Sequence, residues 1–278
     1  MIDQLNGQRR CVAVDLPSHG YTPAATDQDF SLPALARFVT DFCDALELTD
    51  IDLVANDTGG AITQVFAVSH PGRLHTLTLT NCETHNNMPP KALLPSVVLA
   101  RLGLLARIAP RMARDIPRAR KRVFRLVYQD VANLPEEIAR IWLERSFGTK
   151  ESARQSQRLL TSLHARDLLA IEPALARFQV PTLIVWGTGD IFFRRKWAYW
   201  LPSPAPPTSS RSTARACSSP TNAPPNSPEH CAATGTVTRD IRLCLARRCL
   251  VQVQLNIALR ETAAGCKAWL RQRAPSRW

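Results

Sequence analysis

Ile51-Asp-Leu-Val-Ala-Asn-Asp-Thr-Gly-Gly60, continuing as Ala61-Ile-Thr-Gln-Val-Phe-Ala-Val-Ser-His70, decides how the rest of the chain is read. The apolar run Ile51 to Ala55 suits a strand of a parallel sheet, and Ile62, Val65, Phe66 and Ser69 recur at helical spacing. Between strand and helix stands the pattern small-x-nucleophile-x-small, filled by Ala55, Asn56, Asp57, Thr58 and Gly59. The central residue of so tight a turn is forced into strained backbone geometry, and its neighbours must be small for strand and helix to approach. Its side chain then stands at the carboxyl end of the sheet, beside the positive end of the helix. That residue is Asp57. The plainer reading of Asp-Thr-Gly-Gly is a solvated turn, since Asp and Gly are common turn formers.

The flanking segments favour the sharper reading. Upstream, Arg10 to Leu16 reads as a buried strand, and Ser31 opens a helix with Pro33 in its first turn. Leu32, Leu35, Phe38, Val39, Phe42 and Leu46 form one apolar stripe on that helix. Downstream, Pro71 to Leu74 ends the second helix, and His75 to Cys82 alternates as a strand with Glu83 at its end. Strand, helix, strand, turn and helix in that order make the crossover pattern of a parallel sheet. From Thr84 to Leu169 the pattern is helical and rich in Arg. The chain then returns to a strand at Val180 to Gly187, which ends in Gly-x-x-Asp at Asp190, and Ile191 to Leu201 reads as the helix that follows.

With these residues in place the chain resembles the α/β-hydrolase fold, in the branch with an aspartate nucleophile that includes haloalkane dehalogenases and epoxide hydrolases. The resemblance runs from residue 1 to Leu201 and includes the loop Asp15-x-Pro17-x-x-Gly20. It implies an α/β fold whose parallel core is made of residues 1–83 and 170–201, with an inserted helical cap at 84–169. It also implies chemistry: Asp57 attacks an sp³ carbon of a small organic substrate, and water hydrolyses the resulting alkyl-enzyme ester. Asp190 matches the carboxylate that orients the catalytic histidine. Glu83 is its substitute, as in one dehalogenase subgroup, or else a solvated loop carboxylate. The Thr58 N–H belongs to the oxyanion site, and the Thr58 hydroxyl stands where dehalogenases carry a halide-binding Trp. The paired cap tyrosines of epoxide hydrolases are absent, since Tyr128 is alone in this region.

Two parts of the family pattern are missing. No His-Gly oxyanion loop precedes Arg10, so the first strands are expected to be absent and the chain to be truncated at its start. After Leu201 the text turns to Pro, Ser, Arg and Cys without periodicity, and the expected strand, catalytic His and closing helix are not evident. Residues 202–278 are read as an irregular tail, translated out of frame, in which 241–259 is left between helix and strand. His230 is the sole histidine after Asp190 and has no strand before it; His19 reads as a loop residue. Catalysis is therefore expected to be impaired, with a non-catalytic binding protein of the same fold as the alternative.

Composition bounds the rest. Of the net charge of +12, residues 203–278 hold 11 Lys or Arg against 3 Asp or Glu, so the body is nearly balanced. That distribution is an ordinary enzyme surface and implies no specific nucleic-acid partner. Cys11, Cys43 and Cys82 lie in apolar contexts typical of reduced thiols, and the tail cysteines form no CxxC pair, so no structural zinc is expected; the implied chemistry needs only side chains and water, so no cofactor is expected either. The most apolar window, Leu93 to Pro110, is interrupted by Arg101 and Arg107 and reads as an amphipathic helix, not a membrane span. The basic cluster Arg111 to Arg125 reads as the wet face of cap helices. A cytoplasmic protein acting on a small molecule, without a membrane partner, is the resulting expectation.

Overall fold

The computed structural model describes residues 10–128, 130–187, 189–201, 208–210 and 249–254. Its first half alternates as expected: β1 (Arg10–Asp15), α1 (Leu32–Ala45), β2 (Ile51–Asn56), α2 (Asp57–Ser69) and β3 (Leu74–Cys82). Six helices follow, α3 (Leu94–Arg101), α4 (Leu105–Arg114), α5 (Ile116–Arg122), α6 (Glu136–Phe147), α7 (Lys150–Ser162) and α8 (Ala165–Leu175). The chain re-enters the sheet as β4 (Thr182–Gly187), β5 (Thr208–Ser210) and β6 (Cys249–Gln254). The expected N-terminal helix end at Met1 to Gln8 lies outside the described residues.

All pairings are parallel, in the order β1-β6-β2-β3-β4-β5. Register places Leu53 between Leu77 and Val251, and Ala55 between Leu79 and Val253. A parallel sheet covered on both faces demands near-continuous apolar strands, which is why β2 buries Ile51, Leu53 and Ala55. Its one buried carboxylate, Asp52, accepts a hydrogen bond from Thr76 Oγ1 at 2.6 Å, so the polar group is satisfied across the ladder. Ser31 caps α1 through its Oγ to the Ala34 N–H, and the stripe Leu32, Leu35 and Val39 is buried on the sheet. Helix α2 packs against α1, α8 and the sheet and is apolar nearly all round, as a central helix must be.

Three sequence expectations change. The window Leu93 to Pro110 is not one amphipathic helix: Gly103, at φ +69°, breaks it into α3 and α4, which meet at 109°. Ile191 to Leu201 does not form an α-helix. The Asp190 carboxylate ties down the next backbone N–H groups, and only a 3-10 helix, Arg195–Trp200, follows. The stretch beyond Leu201 is not wholly irregular. Thr208–Ser210 pairs with β4, supplying the strand that the sequence did not reveal, and Cys249–Gln254 occupies the gap between β1 and β2. In Cys249-Leu-Val-Gln-Val-Gln254 the alternation was too short to separate strand from helix.

The helices between β3 and β4 hold an apolar cluster of their own, around Ile116, Phe124, Tyr128 and Leu143. Tyr128 is a core residue there, packed beside Phe124 and Trp142. The basic cluster is largely a wet face: Arg111, Arg114, Arg118, Lys121, Arg122 and Arg125 are exposed. Arg120 turns inward and donates to the carbonyls of Val131 and Ala132.

Candidate active site

Asp57, Glu83 and Asp190 follow three neighbouring parallel strands, β2, β3 and β4, at their carboxyl ends. That crevice is where open α/β sheets place their ligands. Asp57 is the first residue of α2 and has φ +53°, the left-handed backbone that the turn pattern demanded. The close approach behind it rests on Gly60. A Cβ there would lie 2.4 Å from Cys82 Cβ on β3, so helix and strand touch only because that position has no side chain.

The Asp57 carboxylate is oriented locally. Its Oδ1 accepts the Thr58 N–H at 2.8 Å, and the Thr58 hydroxyl lies 3.5 Å from the same oxygen. That hydroxyl donates instead to Glu83 Oε1 at 3.0 Å, linking the ends of β2 and β3. Glu83 is only 1 % exposed, which rules out the solvated-loop reading. Its Oε2 is buried without a hydrogen-bond partner, while its backbone carbonyl accepts from Gln64 Nε2 at 2.7 Å. Asp190 is buried as well. Its Oδ1 accepts the N–H groups of Phe192 and Phe193 at 2.8 and 2.9 Å, and its Oδ2 accepts from Asn81 Nδ2 at 2.8 Å. Asn81 Oδ1 in turn takes the Gly187 N–H at 2.8 Å, bracing β3 against β4.

These surroundings perturb Asp57 and Glu83. Burial pushes Asp57 up to about 7, opposed by the Thr58 N–H and reinforced by the charge of Asp190. Burial, with the charge of Asp57, pushes the Glu83 carboxyl well above its ordinary value. Burial beside these carboxyls likewise pushes the Cys82 thiol up. Burial lowers the pKa of His19, and its Nδ1 lies 3.1 Å from the Pro17 carbonyl oxygen. That geometry makes it a loop-holding residue. His230 lies outside the described residues. Among the described residues no three His, Cys, Asp or Glu side chains are grouped to hold a metal ion.

Three contributors escaped the sequence reading. Asn81 and Gln64 sit in an apolar strand and an apolar helix, where a buried amide signals a fixed hydrogen-bonding job. His85, just past Glu83, pairs with Glu172 of α8 and stacks on Trp200, with ring centroids 3.7 Å apart. It ties the end of β3 to the returning helix. Its sequence signal, a His between polar residues, is indistinguishable from a loop.

Comparison with known proteins fits this geometry. The family model for the alpha/beta hydrolase fold matches residues 1–203. A 2-hydroxy-6-oxo-2,4-heptadienoate hydrolase of Pseudomonas putida is 32% identical over 79 residues, covering 28% of this chain and 29% of the relative. The chain thus aligns with less than a third of the length of that curated relative. Among solved structures, the 2-hydroxy-6-oxo-6-phenylhexa-2,4-dienoate hydrolase of Rhodococcus sp. strain RHA1 is similar, with a TM-score of 0.56, 17% identity and coverage of 70% of this chain and 69% of that one. The haloalkane dehalogenase of Bradyrhizobium elkani shares the fold at a TM-score of 0.51 and 16% identity, over 87% of this chain and 72% of its own. With the family model covering well over half of the sequence, the chain belongs to the alpha/beta hydrolase fold family.

Proposed function

We propose that the protein is a hydrolase that uses Asp57 as a carboxylate nucleophile on an sp³ carbon of a small organic molecule. The observation that carries this reading is the left-handed Asp57 at the junction of β2 and α2, where the family presents its nucleophile. Relatives and structural neighbours include hydrolases of different reactions, so the fold alone does not choose among them. The carboxylate at the turn supports displacement at saturated carbon. A carboxylate displaces a leaving group from saturated carbon: a C–O bond forms, and the leaving group departs with the bonding pair.

In this reading Oδ1, held by the Thr58 N–H, becomes the ester carbonyl oxygen, and Oδ2 attacks. The same N–H then stabilises the oxyanion when water adds to the ester. Glu83, whose carboxyl burial pushes upward, accepts from the Thr58 hydroxyl and anchors it. Asp190 is the fixed carboxylate that a histidine base would face. The helices from α3 to α8 serve as the cap. Turnover is slow, because loss of a triad member lowers such rates by about 10⁴-fold or more.

The test is a panel of haloalkanes and epoxides with alkylation followed against pH, by halide release for the haloalkanes and by the mass of the hydroxyalkyl ester for the epoxides. Asp57 must be ionised to attack, so single-turnover alkylation rises about tenfold per pH unit below 7 and levels above it. A rate flat from pH 5 to 8, or unchanged in Asp57→Ala, contradicts the proposal.

One observation favours a second reading, a binding protein that retains the cavity without chemistry. Asp190 is already engaged by three donors and serves as a structural corner without a histidine. Saturable binding of haloalkanes with no adduct and no halide would select it.

A further inference from the structure

Helix α4 exposes its large apolar side chains beside its arginines. Its buried positions are alanines, Ala106, Ala109 and Ala113, while Ile108 and Met112 face outward at 44% and 37% exposure. Helix α3 continues the theme. Leu94 and Val98, with Leu102 just beyond its end, recur every four residues and are 45%, 53% and 65% exposed. A surface helix ordinarily turns its large apolar side chains to the core and its small or polar ones out. Here small residues and Val97 fill the inward face while large apolar side chains stand outside among the arginines, and the helices meet at a sharp bend that brings Leu102 to the apex.

The charges in this region share one sign. Lys91, Arg101, Arg107 and Arg111 alternate with the exposed apolar residues, and residues 91–125 hold 10 Lys or Arg against the single carboxylate of Asp115. Exposed apolar side chains interleaved with basic ones are the surface that an anionic lipid interface recognises: the apolar groups enter the headgroup boundary and the arginines meet lipid phosphates. Nucleic acid would use the charge but not Val98 and Leu102. No helix among the described residues is long and apolar enough to cross a membrane alone, so the contact is peripheral.

We propose that the α3–α4 hairpin is a membrane-docking surface that seats the protein on an anionic bilayer through Leu94, Val98, Leu102 and Ile108, with Arg101, Arg107 and Arg111 at the headgroups. The expectation of no membrane partner, drawn from the lack of a spanning segment, does not bear on surface docking. This inference stands apart from the chemistry assigned to Asp57.

Co-sedimentation of the full chain tests it, with vesicles of phosphatidylcholine alone or mixed with phosphatidylglycerol. Binding is expected to the anionic vesicles only, and to fall at least ~10-fold in Val98→Asp/Leu102→Asp, whose exposed sites leave the melting temperature unchanged. Amide exchange across residues 94–112 should slow when vesicles are added. Absence of binding, or equal binding by that variant, overturns the proposal. So does binding that ignores Val98 and Leu102 and is competed away by duplex DNA. A vesicle-free dimer broken by the same variant gives the face to a second copy and overturns it too.

Discussion

At the residue scale the site is a problem of three carboxyl groups in one buried place. Asp57, Glu83 and Asp190 cannot all ionise there without cost, and their donors decide which one does. Asp190 accepts from three donors; Glu83 is pushed upward by burial and by the charge of Asp57; Asp57, with the Thr58 N–H opposing its burial, stands near 7. The linkage has a definite sign. Asp57 binds its proton more tightly folded than unfolded, where its ordinary value is 3.8, so the stability this group supports is full below pH 3.8 and is lost as pH rises through 7. Asp57→Asn should therefore gain on the order of 4 kcal/mol over the parent at pH 8 and little near pH 4, read from urea denaturation at both values. An equal gain at both would contradict the buried-charge account. Behind the same turn, Gly60→Ala forces a Cβ onto Cys82 and should destabilise by about 1–3 kcal/mol, with part of the loss recovered in Gly60→Ala/Cys82→Gly. Asp57 was legible in the sequence because a turn flanked by small residues leaves a local pattern. Asn81 was not, because its partners Asp190 and Gly187 lie more than a hundred residues away.

At the element scale the sheet depends on a strand drawn from far along the chain. β6 pairs with β1 on one side and β2 on the other, and β2 carries Asp57 at its end. A proline in an interior strand removes a ladder donor and strands the facing carbonyl. Val251→Pro should cost about 1–3 kcal/mol for the orphaned group alone and lower the thermal midpoint of the whole domain. A melt unchanged from the parent would show that β6 does not complete the sheet. The first five elements were readable because their periods are local and repeat over whole helices and strands. β6 was not, since a short alternating run carries no mark of the gap it fills. Gly103 shows the reverse failure: composition joined α3 and α4 into one helix, and one left-handed residue divides them.

At the scale of the whole molecule, the helical segment must be held against the loop after β1. Arg158 of α7 does this, donating to the carbonyls of Thr26 at 2.5 Å and Gln28 at 2.6 Å and lying over the Phe30 ring. Arg145 stacks on Tyr21 nearby. Arg158→Met keeps the aliphatic stem but leaves the carbonyls unpaired, and should cost about 1–3 kcal/mol, seen as faster amide exchange in α7 with the sheet little changed. Uniform exchange across both regions would mean that the two do not part at this contact.

The central claim is that Asp57 is a nucleophile, and the mass of the protein after exposure to a bromoalkane tests it most directly. The account predicts one alkyl adduct per chain, mapped to the peptide containing Asp57, forming faster at pH 8 than at pH 6 and absent from Asp57→Ala. An adduct placed elsewhere, or formed equally by Asp57→Ala, would contradict it.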